Sequence, residues 1–235
     1  MRYAVCLESD TAGWSMAHVP DLPGCYATAD DPWTALQALL AAIPAYWAWL
    51  RRHGAPAPGP AGLGEVSLGV IETVQSDTPG LHALFEYEVA PLSRQAVAGC
   101  LERLTYTRRD LLGLVGDLPP DRLAPGPAET VGGILAHLAA TEQAYTGLLG
   151  PAPPVATAAD PLDWLATVRA AAVEQIGSLP DDDYGRIFLY GGERWNVRKL
   201  LRRLLEHERE HTAQIAGLLG VALPESEVDY RQVCG

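Results

Sequence analysis

Glu206-His207-Glu208-Arg209-Glu210-His211, inside the run Asn196 to Leu219, is the stretch on which the reading of this chain turns. At the 3.6-residue period of a helix, Leu200, Leu204, His207, His211, Ile215 and Leu218 fall on one narrow stripe. The two histidines then lie one turn apart on the face expected to be buried. Imidazole on an apolar stripe is costly unless its nitrogens find partners, and a pair so spaced can grip one metal ion. A pair alone fits two hydrogen-bonded core histidines better, so the metal reading needs a third ligand from elsewhere in the chain.

Working outward from that helix, proline and glycine divide the chain beyond Pro91 into long helical segments. The first is capped by Ser93 and runs to about Gly116, before Leu118-Pro119-Pro120-Asp121. A second begins near Thr130 and ends by Gly150, where Gly150-Pro151-Ala152-Pro153-Pro154 breaks it. The third spans roughly Asp160 to Ser178, and the fourth opens at Asn196 after a loop holding Tyr184 to Trp195. Four such helices predict a four-helix bundle with room for ligands in its interior. His137 in the second helix shares a face with Ile134, Thr141, Ala144 and Leu148, so it is expected to point inward. A lone histidine from one helix and a pair from another close a facial three-nitrogen set, with positions left open for water or substrate. His137, His207 and His211 are therefore the candidate metal ligands. Zinc suits them best, although iron, nickel and manganese bind imidazole as well.

The N-terminal third reads differently. Tyr3, Val5 and Leu7 alternate with Ala4, Cys6 and Glu8 as in a half-buried strand, and Asp10-Thr11-Ala12-Gly13 turns the chain. A second run, Trp14 to Val19, leads through Pro20-Asp21-Leu22-Pro23-Gly24-Cys25 to a third strand near Tyr26 to Ala29. Asp31 followed by Pro32 starts a helix with Trp33, Leu36, Leu40 and Trp47 as its buried stripe, Pro44 inside it and Gly54 at its end. Residues 55–64 form a Pro/Gly/Ala linker. Glu65 to Val74, the turn Ser76 to Gly80 and the alternation Leu81, Ala83, Phe85, Tyr87, Val89 predict an added β-hairpin, with His82 on its solvated face. The expected class is α+β: a small β-β-β-α domain with that hairpin over residues 1–90, then an all-α bundle over residues 91–235.

Composition narrows the partners. Of the 235 residues 48% are hydrophobic, the mean hydropathy is +0.03, and no apolar run approaches the ~20 residues that span a bilayer, so no membrane role is expected. The N-terminus meets an acid before a signal-length apolar core develops, which predicts a cytoplasmic protein. A net charge of −12 argues against nucleic acid as a partner. One basic stretch, Arg194 to Arg203, reads as a solvated helix face. The cysteines at 6, 25, 100 and 234 lie too far apart for a zinc ribbon and read as free thiols.

Two resemblances add to this. Val131-Gly132-Gly133-Ile134-Leu135-Ala136-His137-Leu138-Ala139, with Asn196-Val197-Arg198 through His207-Glu208-Arg209-Glu210-His211, resembles the DinB superfamily of four-helix bundles over roughly residues 91–219. The resemblance implies that His137, His207 and His211 hold a divalent metal. Members so described include thiol-dependent transferases acting on small molecules, in which the metal activates a thiol. The first 55 residues, above all Val19 to Cys25, resemble the HicB-like antitoxin domain, an interaction module that pairs with a toxin. No basic ribbon or helix-turn-helix follows here, so that resemblance implies a binding or structural module. Glu142 and Glu210 are candidates to orient the histidines, and Tyr145 borders the His137 face. Trp195 reads as helix-entry packing and Cys100 as a small core hydrophobe. The expected function is a metal-dependent enzyme such as a thiol-dependent S-transferase. The alternatives are a partner-binding protein working through its N-terminal domain, and a homodimer formed through outward residues such as Leu205 and Leu219.

Overall fold

The computed structural model describes residues 1–58, 65–150, 157 and 160–223. The protein is mixed α+β, an N-terminal sheet with one long helix followed by a helical region. Two compact units follow one another, Met1–Val89 and Ala90–Val221. No helix among the described residues is long and apolar enough to cross a membrane. Residues 59–64 of the expected linker, Pro151–Pro154 and Cys234 lie outside the described residues. Cys6, Cys25 and Cys100 are buried and form no disulfide.

In the first unit, β1 (Arg2–Asp10), β2 (Ser15–His18), β3 (Tyr26–Ala29) and β4 (Ser67–Ser76) form a sheet of order β3-β2-β1-β4. Asp10 makes the first turn: its Oδ1 accepts from the amides of Ala12 at 2.9 Å and Trp14 at 3.1 Å, and Gly13 takes a φ of +99° that side chains avoid. The Val19 to Cys25 loop closes with the Val19 amide donating to the Cys25 carbonyl at 3.2 Å. Helix α1 (Pro32–Arg52) starts as expected, Asp31 accepting from the Thr34 amide at 2.9 Å. Its hydroxyl from Tyr46 donates to the Pro23 carbonyl at 2.7 Å and ties helix to loop. The buried face differs from the expected one. Ala35, Leu39, Ile43, Tyr46, Trp49 and Leu50 are buried, whereas Trp33 is 69% exposed and Leu36, Leu40 and Trp47 are half-buried. Residues 32–50 carry no charge, so apolar periodicity had no polar face to measure itself against.

The expected hairpin does not form. β4 runs parallel to β1, from Arg2 opposite Ser67 to Asp10 opposite Ser76, and the segment containing α1 supplies the crossover that parallel pairing requires. Residues 81–85 have no regular structure and lead into the short helix α2 (Glu86–Val89). Carboxylates take the amides that a ladder would have used. Glu8 accepts from Ala83 at 2.6 Å, Glu72 from Glu86 at 2.8 Å, and buried Glu88 from Phe85 at 3.0 Å. Nor is His82 solvated: its Nδ1 lies 3.1 Å from Glu8 Oε1, which His18 Nε2 also approaches at 2.9 Å.

The helices of the second unit start and stop close to where the sequence places them: α3 (Arg94–Val115), α5 (Val131–Gly147), α6 (Pro161–Ser178) and α7 (Val197–Leu219), with a short α4 (Pro120–Leu123) between the first two. Side-chain oxygens of Ser93, Thr130, Asp160 and Asn196 cap the four long ones. The loop before α7 holds more structure than expected, a 3-10 turn (Asp181–Gly185) and a hairpin of β5 (Phe188–Tyr190) and β6 (Glu193–Trp195). Gly191 and Gly192, both at positive φ, make its tight turn. Helix α5 packs on α6 and α7, and α3 packs on α7.

The N-terminal half of α7 is buried nearly all round. Leu205, expected outward, is fully buried with Leu200, Leu201 and Leu204, and Leu219 packs half-buried on the other core cluster. Leu218, expected on the buried stripe, is 48% exposed. The basic stretch is not a solvated face either, since Lys199, Arg202 and Arg203 are buried. Burial is tolerated because each is paired, Lys199 with Glu193 at 2.5 Å, and Arg202 and Arg203 with Glu206 at 3.3 and 3.0 Å.

Candidate metal centre

Helix α5 places His137. Two glycines let its first turn lie directly on the preceding loop: a Cβ on Gly132 would stand 2.0 Å from the Ala124 carbonyl oxygen, and one on Gly133 would stand 1.9 Å from that of Pro127. Thr130 Oγ1 accepts from the Gly133 amide at 3.1 Å and fixes where the helix begins. Helix α7 places the other two. Asn196 accepts from the Lys199 amide at 2.9 Å at its start, and Gly220 closes its end in the left-handed conformation, with Val221 donating to Ala216 at 3.0 Å.

Between them the two helices bring three imidazoles to one point. His137 Nε2 lies 3.0 Å from His207 Nε2, which lies 3.1 Å from His211 Nε2. The rings meet edge to face, with centroids 5.0, 4.9 and 4.5 Å apart. An imidazole nitrogen carries either one proton or one lone pair, so His207 Nε2 can complete only one of its two short contacts as a hydrogen bond. A cation satisfies all three lone pairs together. Metal–imidazole bonds of ~2.0–2.1 Å put neighbouring ligand nitrogens about 2.9–3.4 Å apart, the spacing of both contacts through His207, and all three lie within 4.8 Å of one another. The donor set thus fits a divalent ion. His211 Nδ1 lies 2.7 Å from Gln214 Oε1; an amide oxygen can only accept, so Nδ1 carries the proton and Nε2 keeps its lone pair. Burial and the neighbouring His211 push His137 below the usual imidazole pKa, and Glu210 opposes them. Neutral imidazole is the form that binds metal.

The cluster is not sunk in the core as the stripe implied. His137 is exposed, and His207 and His211 are half-buried. Tyr145 flanks it with its ring 6.4 Å from that of His207, and packs against buried Trp195, the two rings tilted by 47° with centroids 4.9 Å apart. Lys199 Nζ lies 4.3 Å above the Trp195 ring. Cys100 is buried well away from this role, and burial pushes its thiol pKa up.

Neither proposed orienting carboxylate is hydrogen-bonded to a histidine among these contacts. Glu210 is exposed. Glu142 belongs to a ring of charges that sequence reasoning missed. Arg108 on α3 meets Glu142 on α5 at 2.8 Å and Glu208 on α7 at 2.5 Å. Arg169 on α6 meets the same two, Glu142 through its Nε and Glu208 at 2.8 Å. The remaining guanidinium donors reach the carbonyls of Leu165 at 2.6 Å and Leu104 at 2.5 Å, and Thr107 donates to Glu208. All four charged residues are buried. Burial pushes the Glu208 carboxyl up, but Arg169 and Arg108 outweigh it and hold the group below the usual carboxylate range. The signal was present: Arg108 sits on the stripe Leu104, Leu111, Val115, and Arg169 on the stripe Leu165, Ala172, Ile176.

Residues 103–215, which include all three histidines and all four members of the ring, match the family model of the DinB superfamily, whose members bind metal in general. No curated protein and no solved structure matches the chain. With three imidazole nitrogens converging where two helices of that segment meet, residues 103–215 are a DinB superfamily domain.

Proposed function

We propose that the chain holds a divalent cation, zinc by preference and otherwise iron, nickel or manganese, on the Nε2 atoms of His137, His207 and His211, and works as a metal-dependent enzyme of the thiol-dependent S-transferase kind in a four-helix bundle. The observation that carries this reading is the convergence of three nitrogens within 3.0–3.1 Å contacts on a side open to solvent. Bound there, such an ion lowers the pKa of a thiol or water at its open position. The chain's own residues supply the rest. Gln214 holds the His211 ring in one tautomer, and Tyr145 walls the side next to His207. The exposed edge at His137 leaves an approach for a small electrophilic substrate and its thiol partner. Elemental analysis of full-length protein purified without added metal tests the reading: about one divalent ion per chain is expected, and loss of that ion in His207→Ala. Metal-free wild-type protein overturns it.

A second reading is favoured by a separate observation. The outer face of α1 carries no charge over residues 32–50, and Trp33 stands 69% exposed, a surface suited to a protein partner rather than to water. On this reading the N-terminal unit is a HicB-like binding module and the helical unit its scaffold. Recovery of one small partner protein by wild-type chain but not by Trp33→Glu, with His137→Ala harmless, would support it. Equal recovery by both would remove it.

A further inference from the structure

We propose that the ring of Arg108, Glu142, Arg169 and Glu208 is a positioning device for the three histidines: it fixes the rotation of α5 against α7 on which their convergence depends. The inference rests on the metal reading of His137, His207 and His211 given above.

Placement comes first. Glu142 lies on the helix of His137, five residues on, and Glu208 is next to His207. Each glutamate is held by both arginines, and the arginines come from the other two long helices, so one ring ties all four together. The ring also interrupts the apolar core. One cluster gathers Leu104, Ile176, Leu200 and Leu204, and the other Leu111, Ile134, Leu165 and Ile215. Along α3, α6 and α7 the ring residue stands between the members of the two clusters.

Apolar packing on either side is non-directional and tolerates small slips and rotations. Charge-assisted guanidinium–carboxylate bonds do not, because each has its own direction, and Arg169 grips Glu142 with two parallel bonds, from Nε and from Nη2 at 3.2 Å, that fix angle as well as distance. The requirement is strict at the histidines. An atom about 8 Å from a helix axis moves about 1.4 Å when the helix turns by about 10°, whereas a metal site tolerates about 0.2 Å in its bond lengths. The directional layer lies beside the atoms that need it. An ion-pair ring is also a poor means of stabilising a core, since apolar replacements of equal volume commonly do as well or better. That leaves orientation as the property such replacements would lose.

The test replaces the ring in the full chain by Arg108→Met, Glu142→Leu, Arg169→Met and Glu208→Leu together, and titrates metal-free protein with Zn²⁺ and with Co²⁺. The expected result is a folded protein whose affinity for Zn²⁺ falls about 10-fold or more and whose Co²⁺ ligand-field bands shift or broaden. Wild-type affinity and an unchanged spectrum would overturn the inference. If the quadruple variant does not fold, Glu208→Gln is compared with Ile176→Val, a core change chosen to match its loss of thermal stability. Weaker Co²⁺ binding with altered bands in Glu208→Gln alone supports positioning, and equal behaviour of the two overturns it. Wild-type protein that binds neither ion removes the metal reading itself, whereas wild-type binding matched by the variants removes only this inference.

Discussion

The charge ring and the histidine cluster draw on the same stretches of α5 and α7, yet they treat polarity in opposite ways. The ring is buried, and every charge in it faces an opposite charge. The cluster is open, and its three ring nitrogens converge with no acid among them to balance their donors and acceptors. A closed ring asks nothing of a ligand; converging ring nitrogens are the mark of one. The difference teaches that burial and perturbed ionisation are poor guides to a ligand site here, because Glu208 and Arg169, both buried and both shifted, answer to each other. What separates the two is whether the donors and acceptors of the group balance without an outside atom.

The hardest blow to this contrast is aimed at the ring. Arg169→Met leaves Glu142 and Glu208 buried with one guanidinium between them, and uncompensated buried charge of this kind costs ~3–5 kcal/mol. His207→Ala removes a half-buried imidazole and is expected to cost the metal-free protein under ~0.5 kcal/mol. Urea unfolding of both variants without metal measures the gap. Comparable losses would erase the distinction between a structural cluster and a ligand-binding one.

Acid probes the same contrast without a truncation. Arg169 and Arg108 hold the Glu208 pKa below its unfolded value, so the stability it contributes is present above that value and is lost as pH falls through the folded one. Arg169, raised in its turn by Glu208 and Glu142 against the effect of burial, stays charged throughout and adds no loss of its own. Urea midpoints of metal-free wild-type protein should fall as the pH drops below the ordinary carboxylate range, and more shallowly in Glu208→Gln. Parallel curves would show that acid sensitivity lies outside the ring.

A third change should disturb both clusters. Gly133→Ala puts a methyl group 1.9 Å from a backbone carbonyl that cannot swing aside, at a cost of ~1–3 kcal/mol. Helix α5 must shift, carrying His137 with it, so Zn²⁺ affinity should fall along with stability. Gly147→Ala meets nothing within 4 Å and should instead stabilise by up to ~1 kcal/mol with metal binding intact. Unchanged affinity in Gly133→Ala would mean that the start of α5 does not set the position of His137.

How much of this was legible in the sequence follows from what each signal can see. Caps and breakers are local, so Ser93, Thr130, Asp160 and Asn196 marked their helices closely. The histidines were legible as a set because spacing gives the face of a helix, yet spacing could not tell a buried face from one opening at the edge, and the cluster proved open. Periodicity failed in α1, where residues 32–50 carry no charge on any face and Leu39 and Leu40 are equally apolar. It failed for α7 in the other sense, because a helix buried nearly all round hides Lys199 and Arg202 together with Leu205. The expected strand at residues 81–89 lost its amides to Glu8, Glu72 and Glu88, long-range acceptors that no local pattern announces. Arg108 and Arg169 stood in apolar stripes where a charge demands a partner, and that demand was visible although the partners were not.

The smallest change asks how local the support of each cluster is. Thr130→Ala removes the oxygen that accepts from the Gly133 amide, and a lost N-cap of this kind costs ~1 kcal/mol. The loss is confined to the first turn of α5. His137 lies beyond that turn and Glu142 further on, between Arg108 and Arg169. If the ring holds the middle of α5, fraying should stop short of His137. Amide exchange should then quicken at Gly133 and Ile134 while the variant keeps about one Zn²⁺ per chain and an affinity within about threefold of wild type, a difference of ~0.6 kcal/mol. Faster exchange reaching Ala139, with a larger loss of affinity, would show that the cap rather than the ring holds His137 in place.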